Sequence, residues 1–241
     1  MRAVFDATGE VLVVTGGANG IGAALARGFA DAGGTSVVLD VARPDREHRG
    51  VEHVAVDVSD RDAVIAAVAG TIRRHGRVDG LVAGAAVQPR VSVLETTQEV
   101  WQRTMAVNVD GVVWACQAVL PTMIAAGRGS IVVFASGLAY QGRAEAAAYA
   151  ASKGALISFA KSLAAEVVAS NVRVNTVFPG VIDTPQFRAA NPTGGEREHW
   201  ERVTGIGTPE DVVEPLLFLL SDSATMTGST LTRDRAYPKE R

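Results

Sequence analysis

The chain has 241 residues, 47% of them hydrophobic and 20% charged, with a formal net charge of −3 and an isoelectric point near 5.8. That composition supports a sizeable core and excludes intrinsic disorder, and the slightly acidic balance argues against nucleic acid as a partner. The single cysteine, Cys116, excludes an internal disulfide and a cysteine-rich zinc site, and reads as a small core hydrophobe. Residues 1–10 carry acids where a signal peptide needs an apolar stretch. The most apolar run, 111–127, contains Gln117, Pro121 and Thr122 and falls short of the ~18 uninterrupted apolar residues of a spanning helix. The expectation is a cytoplasmic protein with no membrane association.

In chain order, residues 11–15 read as a buried strand. A helix follows at 20–32, with Ile21, Leu25, Gly28 and Phe29 at helical spacing. Strands are predicted at 35–39 and 51–56, a helix at 61–75 and a strand at 80–83. Residues 99–126 form a long helix candidate, interrupted in composition by Gly111 and Pro121. A strand at 130–135, a helix at 149–169, a strand at 172–178, a helix at 209–221 and a short strand at 229–232 complete the series. Such alternation implies right-handed βαβ crossovers. The strands are continuous Val/Ile/Leu runs, as in strands covered by helices on both faces. The predicted fold is α/β, a single doubly wound Rossmann-like domain over 1–241 with a mainly parallel seven-stranded sheet. Two segments escape the pattern: 42–50 is polar and short for a crossover helix, and 183–208 is a late insertion, read as a substrate lid.

Between the first strand and the first helix lies Thr15-Gly-Gly-Ala-Asn-Gly-Ile-Gly22. Gly16, Gly20 and Gly22, with Asn19 and Ile21 between them, allow a tight turn and close backbone approach to a pyrophosphate, which the helix N-terminus favours. The spacing is Gly-x-x-x-Gly-x-Gly; a purely structural turn is the alternative. Asp40 ends the second strand, 18 residues after Gly22, where a carboxylate accepts from ribose hydroxyls and repels a 2′-phosphate. With Asn19 and no cation before Gly20, the preference is NAD over NADP, although Arg43 is close by. Asp57, at the end of the third strand, either meets the adenine amino group or merely turns the chain while Ser59 or Asp60 caps the next helix.

Tyr149 and Lys153 stand at i and i+4 and so share one helix face. An ammonium beside a phenol favours the phenolate, which a tyrosine near pKa 10 needs to act as a base. Ser136 follows the 130–135 strand, at the sheet edge where open parallel sheets bind ligands. Asn108 sits within a helix, where Asn is a mediocre former. It either holds a water that contacts Lys153 or makes a helix–helix hydrogen bond.

These motifs, with Asp57-Val58 and Pro179-Gly180, resemble the compact branch of the short-chain dehydrogenase/reductase family over nearly all of 11–232. The resemblance implies a catalytic tetrad of Asn108, Ser136, Tyr149 and Lys153. In it Tyr149 exchanges a proton with the substrate oxygen while hydride moves between substrate carbon and nicotinamide. Ser136 orients that oxygen, Lys153 lowers the Tyr149 pKa and binds ribose, and Asn108 supports a water-linked relay. It further implies Ile182 and Thr184 at the carboxamide, Asp57 and Val58 at the adenine, and a homo-oligomer, tetramer or dimer. Two departures are present. Ala83-Gly84-Ala-Ala86 replaces the family's Asn-Asn-Ala-Gly, so weaker strand ties but an intact cofactor site at Ala83 and Gly84 are expected. Asp234-Arg-Ala236 replaces its Asp-Gly-Gly.

The expected substrate lining is Val87, Gln88, Leu138, Gln141, Pro179, Val181, Phe187 and Trp200, mostly apolar and suited to a neutral or weakly polar alcohol or ketone. Arg188, Arg197 and Arg202 alternate with Glu196, Glu198 and Glu201, read as a solvated helix face. His48, His53, His75 and His199 lack ligand spacing, so no metal is expected. The resulting function is NAD-dependent interconversion of a secondary alcohol and its ketone. The alternatives are an NADPH-dependent 3-oxoacyl or polyketide-type ketoreductase and a non-catalytic dinucleotide-binding regulator or scaffold.

Overall fold

A computed structural model describes residues 4–233; Asp234 to Ala236 lie outside the described residues. Seven parallel strands form one sheet in the order β3-β2-β1-β4-β5-β6-β7. They are β1 (Val11–Thr15), β2 (Thr35–Asp40), β3 (Val51–Ala55), β4 (Gly80–Ala83), β5 (Gly129–Phe134), β6 (Val172–Phe178) and β7 (Thr230–Thr232). The order reverses between β1 and β4, and a crevice opens at such a switch point.

Strand residues alternate between two cores, as a side-chain period of two requires. Val11, Val13, Val37, Leu39, Ile131 and Val133 pack on one face against α2 (Arg61–His75), α4 (Gly111–Ala126) and α6 (Ala147–Val167). Leu12, Val14, Val38, Val82 and Val132 pack on the other against α1 (Gly20–Asp31) and α9 (Val213–Leu220). Each fully buried Val or Leu contributes about 1.5–3 kcal/mol. The edge strand β3 is an exception to two-sided burial: its residues are half-buried and Ala55 is exposed. Residues 41–50 join β2 to β3 without a helix.

The interval expected to hold one interrupted helix is continuous. α3 (Gln98–Met105) runs through a π-helical turn, Ala106–Asp110, into α4 with Pro121 inside it. The resulting 98–126 helix is 29 residues long with a mean hydropathy of 1.5 over its most apolar window, so by length and composition it does reach the span of a membrane helix. Its Val112, Ala115, Cys116, Val119 and Met123 are packed into the core.

The 183–208 segment carries α7 (Pro185–Ala190) and α8 (Gly194–Val203). Thr184 caps α7 by accepting from the Phe187 N–H, and Thr193 with Glu196 forms a capping box on α8. Asp183 binds Arg188 of α7 at 2.8 Å and Arg197 of α8 at 3.2 Å, and these bonds hold its carboxyl down at about 2. The ends of the segment meet, the Asp183 N–H donating to Gly207 and the Gly207 N–H to Val181. A short α5 (Leu138–Gln141) lies between β5 and α6.

Candidate active site

A cleft of about 450 Å³ runs along the carboxyl ends of the strands. Its floor is the β1–α1 turn. Gly16 has φ +73, and a Cβ there would stand 2.5 Å from the Ala85 nitrogen; one on Gly22 would stand 2.4 Å from the Gly16 carbonyl oxygen. Only glycine permits this approach of turn, helix and β4 exit. Asn19 precedes α1 in an extended conformation and provides no side-chain cap, so the first amides of α1 open toward the cleft without that partner.

Asp40 is fixed by two backbone donors, Ala18 N–H to one oxygen at 3.0 Å and Ala42 N–H to the other at 2.9 Å. Asp57 accepts from the Ser59 N–H and hydroxyl and from Arg103 at 2.9 Å. Burial would raise its pKa, but the bonds from Ser59 and Arg103 outweigh that and lower it. Helix capping falls to Asp60, which accepts from the Ala63 N–H. Thr15 supplies the strand tie lost at Ala83, its hydroxyl accepting from the Gly84 and Ala85 N–H groups at 3.2 and 3.4 Å.

The walls at the other end are β5 and α6. Ser136 follows β5, its hydroxyl accepting from the Leu138 N–H, and lines the cleft together with Tyr149. Lys153 lies one turn along α6 with Nζ 5.7 Å from the Tyr149 ring centroid, and donates to the Phe134 carbonyl at 2.8 Å. Burial pushes Tyr149 up to about 12, with the Ser136 hydroxyl acting in the opposite direction, and pushes Lys153 down to about 8. Burial penalises both charged forms, so each group by itself is shifted toward its neutral state. Asn108 does not line the cleft. Its amide accepts from the Val87 N–H (2.8 Å) and donates to the Val87 carbonyl (2.9 Å) and the Ser152 hydroxyl (3.0 Å).

Gly16, Asn19, Gly20, Ile21, Gly22, Asp40, Asp57, Val58, Gly84, Pro179, Gly180, Ile182 and Thr184 all line this cleft, together with Ser136, Tyr149 and Lys153. So do Val87, Gln88, Leu138, Gln141, Val181, Phe187 and Trp200. Ala83 does not: it is the last residue of β4, 1% exposed and facing the core, and the cleft begins at Gly84. Among the described residues lining it there is no histidine. The acid–base run of α8 is not uniformly solvated, since Glu196 is bound by Arg90 at 2.9 Å and by Arg143 at 3.2 Å. Arg143 lines the cleft and was not anticipated. The signal was available: it is the only cation in 137–148, the interval between Ser136 and Tyr149, which must border any site they share.

The family profile described as short chain dehydrogenase matches residues 10–194. The chain belongs to that family. This short-chain dehydrogenase is 36% identical over 253 residues to the 2-(R)-hydroxypropyl-CoM dehydrogenase of Xanthobacter autotrophicus, covering 95% of this chain and 98% of the relative. It matches the 3-ketoacyl-(acyl-carrier-protein) reductase of Brucella melitensis, solved with NADH, at TM-score 0.86 and 27% identity, covering 96% and 100% of the two chains. It matches the gluconate 5-dehydrogenase of Burkholderia cenocepacia, solved with NADP and tartrate, at TM-score 0.87 and 30% identity, covering 96% of each. This family member is thus an oxidoreductase by kinship with dehydrogenases and reductases.

Proposed function

We propose that the chain is an NAD(H)-dependent oxidoreductase that interconverts a secondary alcohol and its ketone, with Tyr149 as general acid and base. The observation that carries this reading is that Ser136, Tyr149 and Lys153 line one cleft with the glycine turn, with the Lys153 Nζ 5.7 Å from the Tyr149 ring centroid. The residues present fit a dinucleotide: the turn at Gly16 and Gly22 is packed too closely for any side chain, and the adjacent helix end has no side-chain cap. When bound, the nicotinamide ring supplies or accepts the hydride.

The chain's own residues do the rest. Ser136 donates to the substrate oxygen and holds it against Tyr149. Tyr149 gives its proton to that oxygen in reduction and takes it back in oxidation, a step of the kind worth about 10²–10⁴-fold. The buried Lys153 ammonium, close to the phenol, favours the phenolate when the proton leaves, and its ionised pair with Tyr149 offsets the burial that opposes each charge alone. Asn108 acts through position, tying the turn at Val87 to α6; a water-linked relay there is what the family resemblance alone implies. Asp57 and Val58 flank the adenine, Ile182 and Thr184 the carboxamide, and residues 183–208 form the lid. The same reading carries a homo-oligomer, for which the family resemblance is the support, and a cytoplasmic location.

Asp40 supports NAD over NADP. Its two oxygens are held by backbone amides beside the glycine turn, and repulsion of a ribose phosphate there is of order 1 kcal/mol or more. A 3-oxoacyl reductase is the second reading, favoured by the likeness to the Brucella enzyme. Steady-state turnover of a secondary alcohol and ketone panel, oxoacyl thioesters included, with NAD(H) and NADP(H) tests both. The proposal expects alcohol turnover with NAD favoured about tenfold or more. Turnover confined to oxoacyl thioesters with NADPH would replace it, and dinucleotide binding without turnover of any member would point to a regulator.

A further inference from the structure

The cleft holds five charged side chains, Asp40, Asp57, Arg103, Arg143 and Lys153, among the described residues. Asp40 ends β2 and Asp57 follows β3, with Arg103 bound to Asp57, far along the sheet from Tyr149. Lys153 lies deep and bonded to the Phe134 carbonyl. At the Tyr149 end, beside the Lys153 of the proposed catalytic group, that leaves Arg143, a guanidinium most of whose donors are uncommitted.

Its setting is lopsided. Arg143 belongs to a cluster with Arg90, Glu145 and Glu196, two cations and two anions. The acids and Arg90 do not line the cleft; Arg143 does. Arg90 lies between the acids, at 2.7 Å from Glu145 and 2.9 Å from Glu196. The other Glu196 oxygen accepts from the Thr193 hydroxyl at 3.1 Å. Arg143 is left with one bond, from Nη2 to the already shared Glu196 oxygen at 3.2 Å. A guanidinium has five N–H donors in a fork that matches a carboxylate. Burial foremost, and then the charge of Arg90, weaken the cationic form of Arg143, with Glu196 and Glu145 opposing. An anion arriving in the cleft would relieve both.

The group is also held in place. Its guanidinium carbon lies over the Trp200 ring, 5.5 Å from the centroid. Trp200 donates to Asn191, which is 8% exposed and itself bonded to the Phe187 carbonyl. Two residues beyond Arg143, Glu145 has φ 62, rare for a residue with a side chain, and is fixed there by Arg90 and by the Val91 N–H on its carbonyl.

We infer that Arg143 receives a carboxylate of the substrate, so that within the proposed alcohol–ketone chemistry, on which this inference rests, the chain selects hydroxy acids and keto acids over neutral alcohols. The neutral lining expected from the sequence then describes the walls around the reacting carbon and not the far end of the site.

The test is binding to the enzyme–NADH complex, read by NADH fluorescence, of β-hydroxybutyrate, γ-hydroxyvalerate and mandelate, each beside its primary amide. Turnover of the same pairs is followed with NAD and NADP. At least one acid should bind about ten- to a hundredfold tighter than its amide, the range for a charge-assisted hydrogen bond. Arg143→Gln should bring that ratio close to one, and Arg143→Lys should leave it intermediate because a point charge lacks the fork. Three results overturn the inference: no acid–amide preference in the wild type, no binding of any acid, or a ratio that survives Arg143→Gln while both affinities fall together, as a mere brace for Trp200 would give. A preference for acids without turnover by either cofactor sinks the redox reading and leaves this one standing. Equal turnover of acids and amides does the reverse.

Discussion

The side-chain amide of Asn108 donates to the Ser152 hydroxyl at 3.0 Å, and that hydroxyl donates to the Tyr149 carbonyl at 2.7 Å. The π-turn of one helix is thereby fastened to the turn of another that carries Tyr149 and Lys153. Asn108→Ala removes this bond and both bonds to Val87, leaving buried partners unpaired at about 1–3 kcal/mol each. We expect a lower midpoint of urea unfolding with an unchanged slope, and a loss of turnover. An unshifted midpoint would show that the fastening contributes nothing to the fold.

Tyr149→Phe keeps the ring and removes the hydroxyl from the cleft it shares with Ser136 and Lys153. Turnover should fall by about 10²–10⁴-fold while NADH titrates with near-native affinity. Retention of more than a tenth of the activity would remove Tyr149 from the proton-transfer role.

Lys153 gives a pH signature. Burial lowers it from the ordinary 10.5 to about 8 in the folded chain. Between those values the unfolded chain binds the extra proton, so this group makes stability rise with pH, and the full cost of a buried ammonium is present below 8. Tyr149, held up at about 12, acts in the opposite sense above about pH 10. In denaturant melts from pH 7 to 10, the stability of the wild type relative to Lys153→Met should therefore climb. A flat difference would contradict the shift.

Asp40→Ser removes the carboxylate held by Ala18 and Ala42. The ratio of kcat/KM for NAD over NADP should fall about tenfold or more. An unchanged ratio would assign cofactor choice to another residue.

Gly16→Ala would force a methyl to 2.5 Å from the Ala85 nitrogen at φ +73. Dinucleotide binding, followed by fluorescence titration, should be lost, with a lower melting temperature. Native affinity would mean that the turn yields more readily than its packing implies.

The parallel sheet was legible because seven short apolar runs recur between helical periods, and strand bounds such as 11–15, 80–83 and 172–178 follow directly from where Gly, Asp and polar residues interrupt them. The cleft residues were legible for a related reason: they stand at strand ends or just beyond. The π-turn at Ala106–Asp110 was not, since a shift from i+4 to i+5 bonding leaves no mark in side-chain periodicity. Ala83 was misplaced by a single position, which in a strand is the difference between core and cleft. Arg143 reaches the site only because a loop pinned by Arg90 and Trp200 directs it there, and neither partner is near it in sequence. The Tyr149–Lys153 spacing revealed proximity but not burial, and burial sets the direction of both shifts.

Asp183 joins two guanidiniums from consecutive helices, and it stands at a stem where the incoming and outgoing strands of its segment are zipped by the Asp183–Gly207–Val181 bonds. One carboxylate thus makes a unit of two short helices, and the unit is fastened a second time at its far side, where Arg90 binds the Ala190 carbonyl and Glu196. Because that carboxyl is held down at about 2 by its two guanidiniums, acidification across the ordinary range leaves this joint between the helices ionised.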